Sequence, residues 1–355
     1  MRTQPEQQDS VADEDSALLA DSSSGSTDDD GAQITQAHST QAASICALAP
    51  APNPFYSTTY LLVLAVMAVD AADMSLVPAV FFEISAEFEV GPELLGTVTL
   101  CRGLAQSLVA LVAGPLGNRF SRVKLVGAGC ILWAVATAAV GASSSAAELL
   151  IARAVNGLGL GLVIPISWSL VSDIFPDSAR GRAFGVLFGF SHLGGTFGAA
   201  AATAAAGYNV FGTLSGWRCV FFASAVVSSL AGCLILVFGV EPRNAVPAGA
   251  APPLSLTSAL AEFRQVWKVR TFKVILAQGA PGTMPGYAHS FLTMWFELFG
   301  FSHVVAASIR MSFDVGRVIG SVFSGFAVDA ATKWSPDHGK AAVAQVLELQ
   351  CSGAA

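Results

Sequence analysis

Two long apolar runs of this chain are joined by the short basic stretch GPLGNRFSRVK (114–124). Each run is close to the ~20 residues that a helix needs to cross about 30 Å of hydrocarbon. The stretch between them carries Arg119, Arg122 and Lys124, and charges of this kind are costly inside a bilayer. The pattern therefore predicts two membrane-spanning helices joined by a basic turn.

Runs of the same kind recur along the chain, and none shows the alternation of a transmembrane β-strand. The composition agrees, since 53% of the residues are hydrophobic and 12% are charged, against about 25% charged in soluble domains. We expect an all-α membrane protein, a polytopic helical bundle in the lipid bilayer, with eight spans at 58–80, 94–117, 124–143, 147–171, 183–206, 218–240, 272–296 and 304–328.

The charge balance and the motifs exclude several classes of protein. The net charge of −7 comes from residues 1–50, which hold nine acids and one base, whereas the remainder has 17 bases and 16 acids. No basic surface for nucleic acid is expected. The scattered cysteines give no metal site, and the absence of phosphate-loop, HExxH and GxSxG motifs predicts neither an enzyme nor a cofactor.

Changes in composition divide the chain into four parts. We expect residues 1–55 to form an acidic, disordered cytoplasmic tail and residues 56–241 to form a bundle of six spans. Residues 242–271 are predicted to form a cytoplasmic linker with an amphipathic helix. Residues 272–355 are predicted to hold two further spans and the start of a third.

The stretch 114–124 resembles the signature loop of the major facilitator superfamily. The resemblance implies a conformational latch on the cytoplasmic side, and Asn118 stands where the family has an aspartate, which weakens that latch. An internal repeat offset by 211 residues adds a second copy of the motif near span eight. The implied latch residues are Gly114, Asn118, Arg119, Arg122, Gly325 and Asp329.

Further stretches resemble the same family: RAVNGLGLG (153–161), DIFPDSARGRAFG (173–185) and GWRCVFF (216–222). The wider pattern is most similar to the spinster-like branch of algae and plants. This implies the major facilitator fold, with a complete N-terminal six-helix half and a C-terminal half truncated after about eight spans. It implies a secondary active transporter that moves an organic solute or amphipathic lipid by alternating access. The alternative is a truncated, non-transporting fragment that only associates with other membrane proteins.

Charged residues inside the predicted spans are the candidate site, because each is costly in hydrocarbon unless it is paired or hydrated. Asp73, Arg102 and Arg153 fall at similar depths, so we expect them to meet around one cavity and to couple substrate and proton movement. A fixed ion pair that only holds the helices together is the alternative. Asp70 lies on nearly the same face as Asp73, which leaves open whether one of the two only faces water.

Two other groups of polar residues leave alternatives open. His192 either relays protons or is a hydrogen-bonded packing residue. For Arg310, Asp314 and Arg317, helical spacing favours pairing along their own helix.

Glycines at close spacing in spans four and five are expected to let neighbouring helices pack closely.

The acidic tail contains EDSALL (14–19), in which Glu14, Leu18 and Leu19 fit an acidic dileucine signal for a sorting adaptor. The motif is short, and chance in an acidic tail is the alternative. The expected location is therefore a vacuolar or lysosomal membrane or the plasma membrane.

The positions of the bases predict the topology, since Lys and Arg in short loops stay on the cytoplasmic side. Tags at Ser22 and Ala250 should both be protected from impermeant reagents in intact cells. Labelling of Ala250 without permeabilisation would contradict this orientation.

Overall fold

The computed structural model describes residues 54–206, 209–210, 214–242, 256–336 and 338–344, and this part of the chain is mostly helical. A 3-10 turn (Pro54–Tyr56) precedes the first helix. Two short strands, β1 (Asn209–Val210) and β2 (Leu214–Ser215), form one antiparallel pair. The predicted all-α bundle is confirmed. Its helices are α1 (Thr58–Ala79), α2 (Phe81–Phe88), α3 (Glu93–Arg119), α4 (Arg122–Ala142), α5 (Ala146–Ile174), α6 (Arg180–Ala206), α7 (Gly216–Phe238), α8 (Leu256–Lys268), α9 (Arg270–Ser290), α10 (Leu292–Leu298) and α11 (His303–Trp334).

Among the described residues, seven helices are long and apolar enough to cross a membrane: α1, α3, α4, α5, α6, α7 and α11. They coincide with seven of the eight predicted spans. The predicted span at 272–296 is not one continuous helix in the structure, because α9 ends at Ser290 and α10 begins at Leu292. Polar, glycine and proline residues in QGAPGTMPGYAHS (278–290) lower the hydropathy of α9.

Several sequence-based predictions fall partly or wholly outside the described residues. The acidic tail, with Glu14, Leu18 and Leu19, lies almost entirely outside them, as do the first part of the linker and the C-terminal residues 345–355. Within the predicted linker the structure has the helix α8. Its Phe263 and Trp267 rings are exposed and lie 5.6 Å apart between centroids.

Pairwise packing orders the seven apolar helices. Helix α5 packs between α3 and α4, and α4 packs against α7. Helix α1 packs against α7 and α6, and α6 packs against α11. The helices therefore pack in the order α3–α5–α4–α7–α1–α6–α11. Helices α1 and α6 lie between α11 on one side and α3, α4, α5 and α7 on the other.

Glycines make the closest of these helix contacts possible. Gly157 and Gly161 are four residues apart and face α3, where a Cβ would meet backbone carbonyl oxygens. Gly159 faces α4, and a Cβ there would lie 2.7 Å from the carbonyl oxygen of Gly129. Small residues at such positions let helix backbones approach each other. The expected role of the span-four glycines in packing is thus confirmed.

Polar contacts and aromatic clusters close the bundle at both ends. We call the end that carries Arg122, Asp173 and Glu241 the basic end, and the end that carries Glu87 and Arg218 the acidic end. Near the basic end the rings of Tyr60 and Phe175 are 4.7 Å apart, edge to face. Near the acidic end the rings of Trp217 and Phe221 are 5.9 Å apart. Edge-to-face pairs of this kind add to the stabilisation from burial.

The glycine contact between α6 and α1 gives a testable prediction. A Cβ on Gly194 would collide with the backbone of Ala68, so Gly194→Ala should destabilise the protein by about 1–3 kcal/mol through overpacking. The control is Gly103→Ala, where a Cβ meets nothing within 4 Å. It should be neutral or stabilise the helix by up to about 1 kcal/mol. Thermal unfolding in detergent measures both, and equal effects would contradict the close contact.

Candidate functional site

The structure brings together four charged side chains from three apolar helices. Arg102 of α3 donates from Nη2 to Asp70 Oδ1 at 3.1 Å. Arg153 of α5 donates from Nη1 to Asp73 Oδ2 at 3.0 Å. All four residues are buried, and Asp73 is 0% exposed. Both carboxylates of α1 thus lie inside the bundle, so neither only faces water.

Two uncharged side chains join the two ion pairs. Asn156 accepts from Arg102 Nε at 2.9 Å and donates to Asp73 Oδ2 at 3.3 Å. It also donates to Thr137 Oγ1 at 3.0 Å, and that hydroxyl donates to Asp73 Oδ1 at 3.0 Å. We call these six residues, Asp70, Asp73, Arg102, Thr137, Arg153 and Asn156, the buried charge network.

The buried charge network balances two carboxylates with two guanidinium groups. Such pairing offsets the cost of removing each charge from water, and hydrogen bonds to the remaining lone pairs are needed as well. One group is incompletely satisfied, because Arg153 Nε is buried and has no hydrogen-bond partner among the described residues. Sequence reasoning missed Asn156 and Thr137, although Asn156 is a polar residue three positions after Arg153 in RAVNGLGLG.

A cavity of about 520 Å³ lies between α1, α6 and α11. The α1 residues that line it, Ala71, Met74, Ser75, Pro78 and Ala79, follow helical spacing on a face next to the one that carries Asp70 and Asp73. None of Asp73, Arg102 and Arg153 lines this cavity, so the expectation that they surround one cavity stays a prediction. Helix α1 borders both the cavity and the buried charge network.

The cavity has its own polar groups. His192 lines it from α6, and Arg310, Asp314 and Arg317 line it from α11. Arg310 Nε donates to Asp314 Oδ2 at 3.0 Å, and Arg317 Nη1 lies 3.6 Å from Asp314 Oδ1. The predicted pairing along α11 is confirmed. These side chains also face the cavity, which the sequence alone did not indicate.

Near the basic end, helices α6 and α11 are in direct contact. Toward the acidic end they move apart, and the cavity lies between those parts of the two helices. A Cβ on Gly185 would lie 3.0 Å from the Cα of Gly325, so the two backbones are in close contact there. Asp329 of α11 accepts hydrogen bonds from the backbone N–H groups of Gly181 and Arg182 at 2.8 and 3.0 Å. A carboxylate at the start of α6 is stabilised by the helix dipole and the free N–H groups.

A second set of charges at the basic end surrounds Arg122, which is 3% exposed at its side chain. Its guanidinium group donates to Glu241 at 2.7 Å, to Asp173 at 2.7 Å and to Ser169 at 3.0 Å. Glu241 also accepts from the backbone N–H of Arg122 at 2.7 Å. We call Arg122, Ser169, Asp173 and Glu241 the basic-end cluster.

Glu241 is the carboxylate that sequence reasoning missed. Partial burial alone raises its pKa, but the hydrogen bonds and the positive charge of Arg122 outweigh burial and hold the pKa below the usual 4.5. The signal in the sequence is an acid placed directly after the sixth apolar run, in VFGVEPR.

The other predicted latch residues differ in their surroundings. Gly325 and Asp329 contact the start of α6, as described above. Gly114 has open space where a Cβ would stand, and Arg119 is exposed. Asn118 lies in the last turn of α3, and Ser121 rather than Asn118 caps α4, with its hydroxyl accepting from Lys124 N at 3.5 Å.

At the acidic end, Arg218 holds three segments together. It donates to Glu87 at 2.6 Å and to the carbonyl oxygens of Gly141 and Ser143 at 2.8 and 2.6 Å. Trp217 Nε1 donates to Glu87 at 2.7 Å. Burial raises the pKa of Glu87, but the hydrogen bonds from Arg218 and Trp217 together with the charge of Arg218 outweigh burial and hold the pKa below its usual 4.5.

Known proteins are similar to this chain in sequence. The Sphingosine-1-phosphate transporter SPNS2 of Xenopus tropicalis is 26% identical over 248 residues, which cover 67% of this chain and 45% of the relative. The Arabinose-proton symporter of Bacillus subtilis is 28% identical over 140 residues, 39% of this chain and 30% of the relative. Across eight curated relatives, the matched segment spans 18% to 45% of the relative's own length.

Solved structures are similar in fold. A bacterial homologue of the human lysosomal transporter Spinster, in an inward-facing and unoccupied conformation, matches with a TM-score of 0.56 at 19% identity. The match covers 81% of this chain and 64% of that one. The family profile described as Major Facilitator Superfamily matches residues 62–338. The chain, an integral multi-pass membrane protein, therefore belongs to the major facilitator superfamily.

Proposed function

We propose that this chain is a secondary transporter of the spinster-like branch, which moves an organic solute or amphipathic lipid by alternating access coupled to protons. Members of this family are transporters and not enzymes. The observation that carries the proposal is the cavity of about 520 Å³ between α1, α6 and α11. Its volume falls in the range of small-molecule sites.

The contacts at the basic end support alternating access. The cavity lies between the acidic-end halves of α6 and α11, whereas Gly185, Gly325 and Asp329 hold the two helices together near the basic end. Moving a solute to the other side requires these contacts to open and the acidic-end halves to close. Asp329, which bridges α11 and the start of α6, acts as the latch of the present state.

The buried charge network supports proton coupling. A carboxylate can take up a proton, whereas a guanidinium group keeps its charge at any physiological pH. Protonation of Asp73 would leave an excess positive charge on Arg153 in a buried site, which is costly. The resulting rearrangement would shift α1, and α1 also lines the cavity. Proton occupancy would in this way bias the equilibrium between conformations.

The branch rests on two likenesses. The match to SPNS2 extends over two thirds of this chain, and the fold resembles that of the Spinster homologue. Three relatives suggest test solutes: SPNS2 suggests sphingosine-1-phosphate, the Arabinose-proton symporter suggests arabinose, and the Niacin transporter NiaP of Acinetobacter baylyi, 29% identical over 125 residues, suggests niacin.

Transport is tested with the full chain in proteoliposomes that contain a pH-sensitive dye. Solutes from the panel of sphingosine-1-phosphate, niacin and arabinose are added outside under an imposed pH gradient. We expect saturable, solute-dependent proton movement for at least one of them. Empty liposomes are the control, and the absence of saturable flux for any solute would contradict the proposed function.

Asp73→Asn tests the coupling. The substitution removes the titratable group but keeps an oxygen for Thr137, so the pH dependence of uptake should be lost, with a decrease of at least about fivefold at the favoured pH. The matched control is Glu93→Gln, which changes an exposed carboxylate at the start of α3.

Asp73→Glu keeps the carboxylate and should retain coupling with a shifted pH profile. Gel filtration in detergent reports whether each variant folds. An unchanged pH dependence in folded Asp73→Asn would reduce the residue to a fixed ion-pair role.

Glu241→Gln tests the basic-end cluster. Loss of the charged hydrogen bonds to Arg122 should lower stability at pH 7 by about 1–3 kcal/mol. Because the folded-state pKa of Glu241 is depressed, its contribution is present above about pH 4.5 and is lost as the pH falls through the folded-state value. The variant should therefore lose less stability on acidification than the unaltered chain.

Thermal unfolding at pH 7 and at pH values below 4.5 measures the difference. Asp177→Asn is the control, since Asp177 lies at the same end with a side chain that is 72% exposed, and such a change should stay within about 0.5 kcal/mol. Identical acid profiles for Glu241→Gln and the unaltered chain would contradict the assignment.

A further inference from the structure

Helix α8 (Leu256–Lys268) carries apolar and basic side chains on separate parts of its surface. Phe263, Val266 and Trp267 are three and four residues apart, so they share one face of the helix. Arg264 and Lys268 are four residues apart and lie together beside that face. All five residues are exposed, with Phe263 at 47% and Trp267 at 43%. In the part of the chain that the structure describes, this amphipathic surface is therefore open to its surroundings.

The basic character continues into α9, which begins at Arg270, two residues after the end of α8. Lys273 Nζ lies 5.8 Å from the centroid of the Trp267 ring, a cation–π contact that holds the start of α9 against α8. The stretch 263–276 contains four bases and no acid, so its charge is +4 and no carboxylate of its own offsets it. We call the exposed side chains of this stretch the α8 surface: Phe263, Arg264, Val266, Trp267, Lys268, Arg270 and Lys273.

The position of α8 in the chain brings this surface close to a bilayer leaflet. The chain passes Glu241 of the basic-end cluster and reaches α8 at Leu256. The predicted topology puts the basic end on the cytoplasmic side. The cytoplasmic leaflet carries anionic lipids and has a negative surface potential. A helix with the charge of α8 is attracted to such a leaflet.

A lipid surface satisfies both parts of α8 at once. Tryptophan is favoured at the depth of the headgroups, where its ring contacts acyl chains and its N–H group reaches water. Lysine and arginine lay their aliphatic stems along apolar surface and extend their charged groups to lipid phosphates. An acidic protein is the other class of partner for a basic amphipathic helix. Lipid is favoured here, because an integral membrane protein has lipid beside it at all times.

We propose that the α8 surface binds anionic phospholipid headgroups of the surrounding bilayer, with its apolar side chains at headgroup depth and its four bases on the lipid phosphates and carboxylates. In a neutral bilayer the helix loses most of the electrostatic attraction and is held less firmly. The inference concerns how the linker is attached to the membrane. It does not depend on which solute the chain transports.

The test measures hydrogen exchange of the full chain in nanodiscs of phosphatidylcholine, with and without about 30% phosphatidylserine. Backbone amides of α8 should exchange about tenfold more slowly in the anionic nanodiscs, because the bound helix must leave the surface before it unfolds. Peptides from α4 (Arg122–Ala142) are the internal control and should exchange equally in both. Raising NaCl from about 0.05 M to about 0.5 M should remove most of the difference through screening. Equal exchange of α8 in the two nanodiscs would overturn the proposal.

Paired substitutions test the charge. Lys268→Gln with Lys273→Gln removes two of the four bases, so the tenfold difference should fall to about threefold if the bases contribute equally. Lys268→Arg with Lys273→Arg keeps the charge and should keep the difference. Lys124→Gln with Lys333→Gln is the matched control, since both lysines are exposed and lie outside the α8 surface. A full tenfold difference in the first pair would overturn the proposal.

Calcium-loaded calmodulin is the probe for the other class of partner. It is added to the full chain in neutral nanodiscs, and exchange of the α8 amides is measured again. Protection of α8 by calmodulin, together with no effect of phosphatidylserine, would overturn the proposal and assign this surface to an acidic protein. Protection by phosphatidylserine that the removal of Lys268 and Lys273 weakens supports the lipid headgroup as the ligand.

Discussion

Two carboxylates and two guanidinium groups that are buried among apolar helices constrain this bundle more than any other interaction. Each of these charges is costly in hydrocarbon without a partner, so α1 must turn Asp70 and Asp73 toward Arg102 of α3 and Arg153 of α5. This pairing sets the rotation of α1 about its own axis. The neighbouring face of α1, which contains Met74 and Pro78, is then directed to the cavity.

The position of α1 links the two polar regions of the molecule. One face contacts the buried charge network, and the other borders the cavity that α6 and α11 complete. Glycines keep α1 and α6 in close contact, so a rotation or shift of α1 cannot occur without a response from α6. At the basic end, the carboxylate of Asp329 in α11 accepts a hydrogen bond from the backbone N–H of Gly181, at the start of α6. The network, the cavity and the latch residues are therefore connected through two helices.

Much of the fold could be predicted because apolar length and buried charge are local properties of the sequence. Seven of the apolar runs are helices, and the intramembrane charges Asp70, Asp73, Arg102 and Arg153 do meet. The direction of α1 could not be predicted, since which face borders a cavity depends on the packing of distant helices. Asn156 and Thr137 were missed because a single uncharged polar residue has no marked cost in a span. Glu241 was missed because its partner Arg122 is 119 residues away in sequence.

The contact between α6 and α11 near the basic end brings backbone against backbone at Gly181, Gly185 and Gly325, and Asp329 is the side chain that bridges the two helices there. Separation of the two helices there requires few side-chain rotamer changes. Lipid acyl chains can replace the apolar part of this contact, because the hydrocarbon of a bilayer is as apolar as the helix surface, whereas the hydrogen bonds of Asp329 have no such replacement. The work of opening this seam therefore depends on the lateral pressure and thickness of the surrounding bilayer, so that membrane composition becomes a physical variable in the conformational equilibrium of this protein.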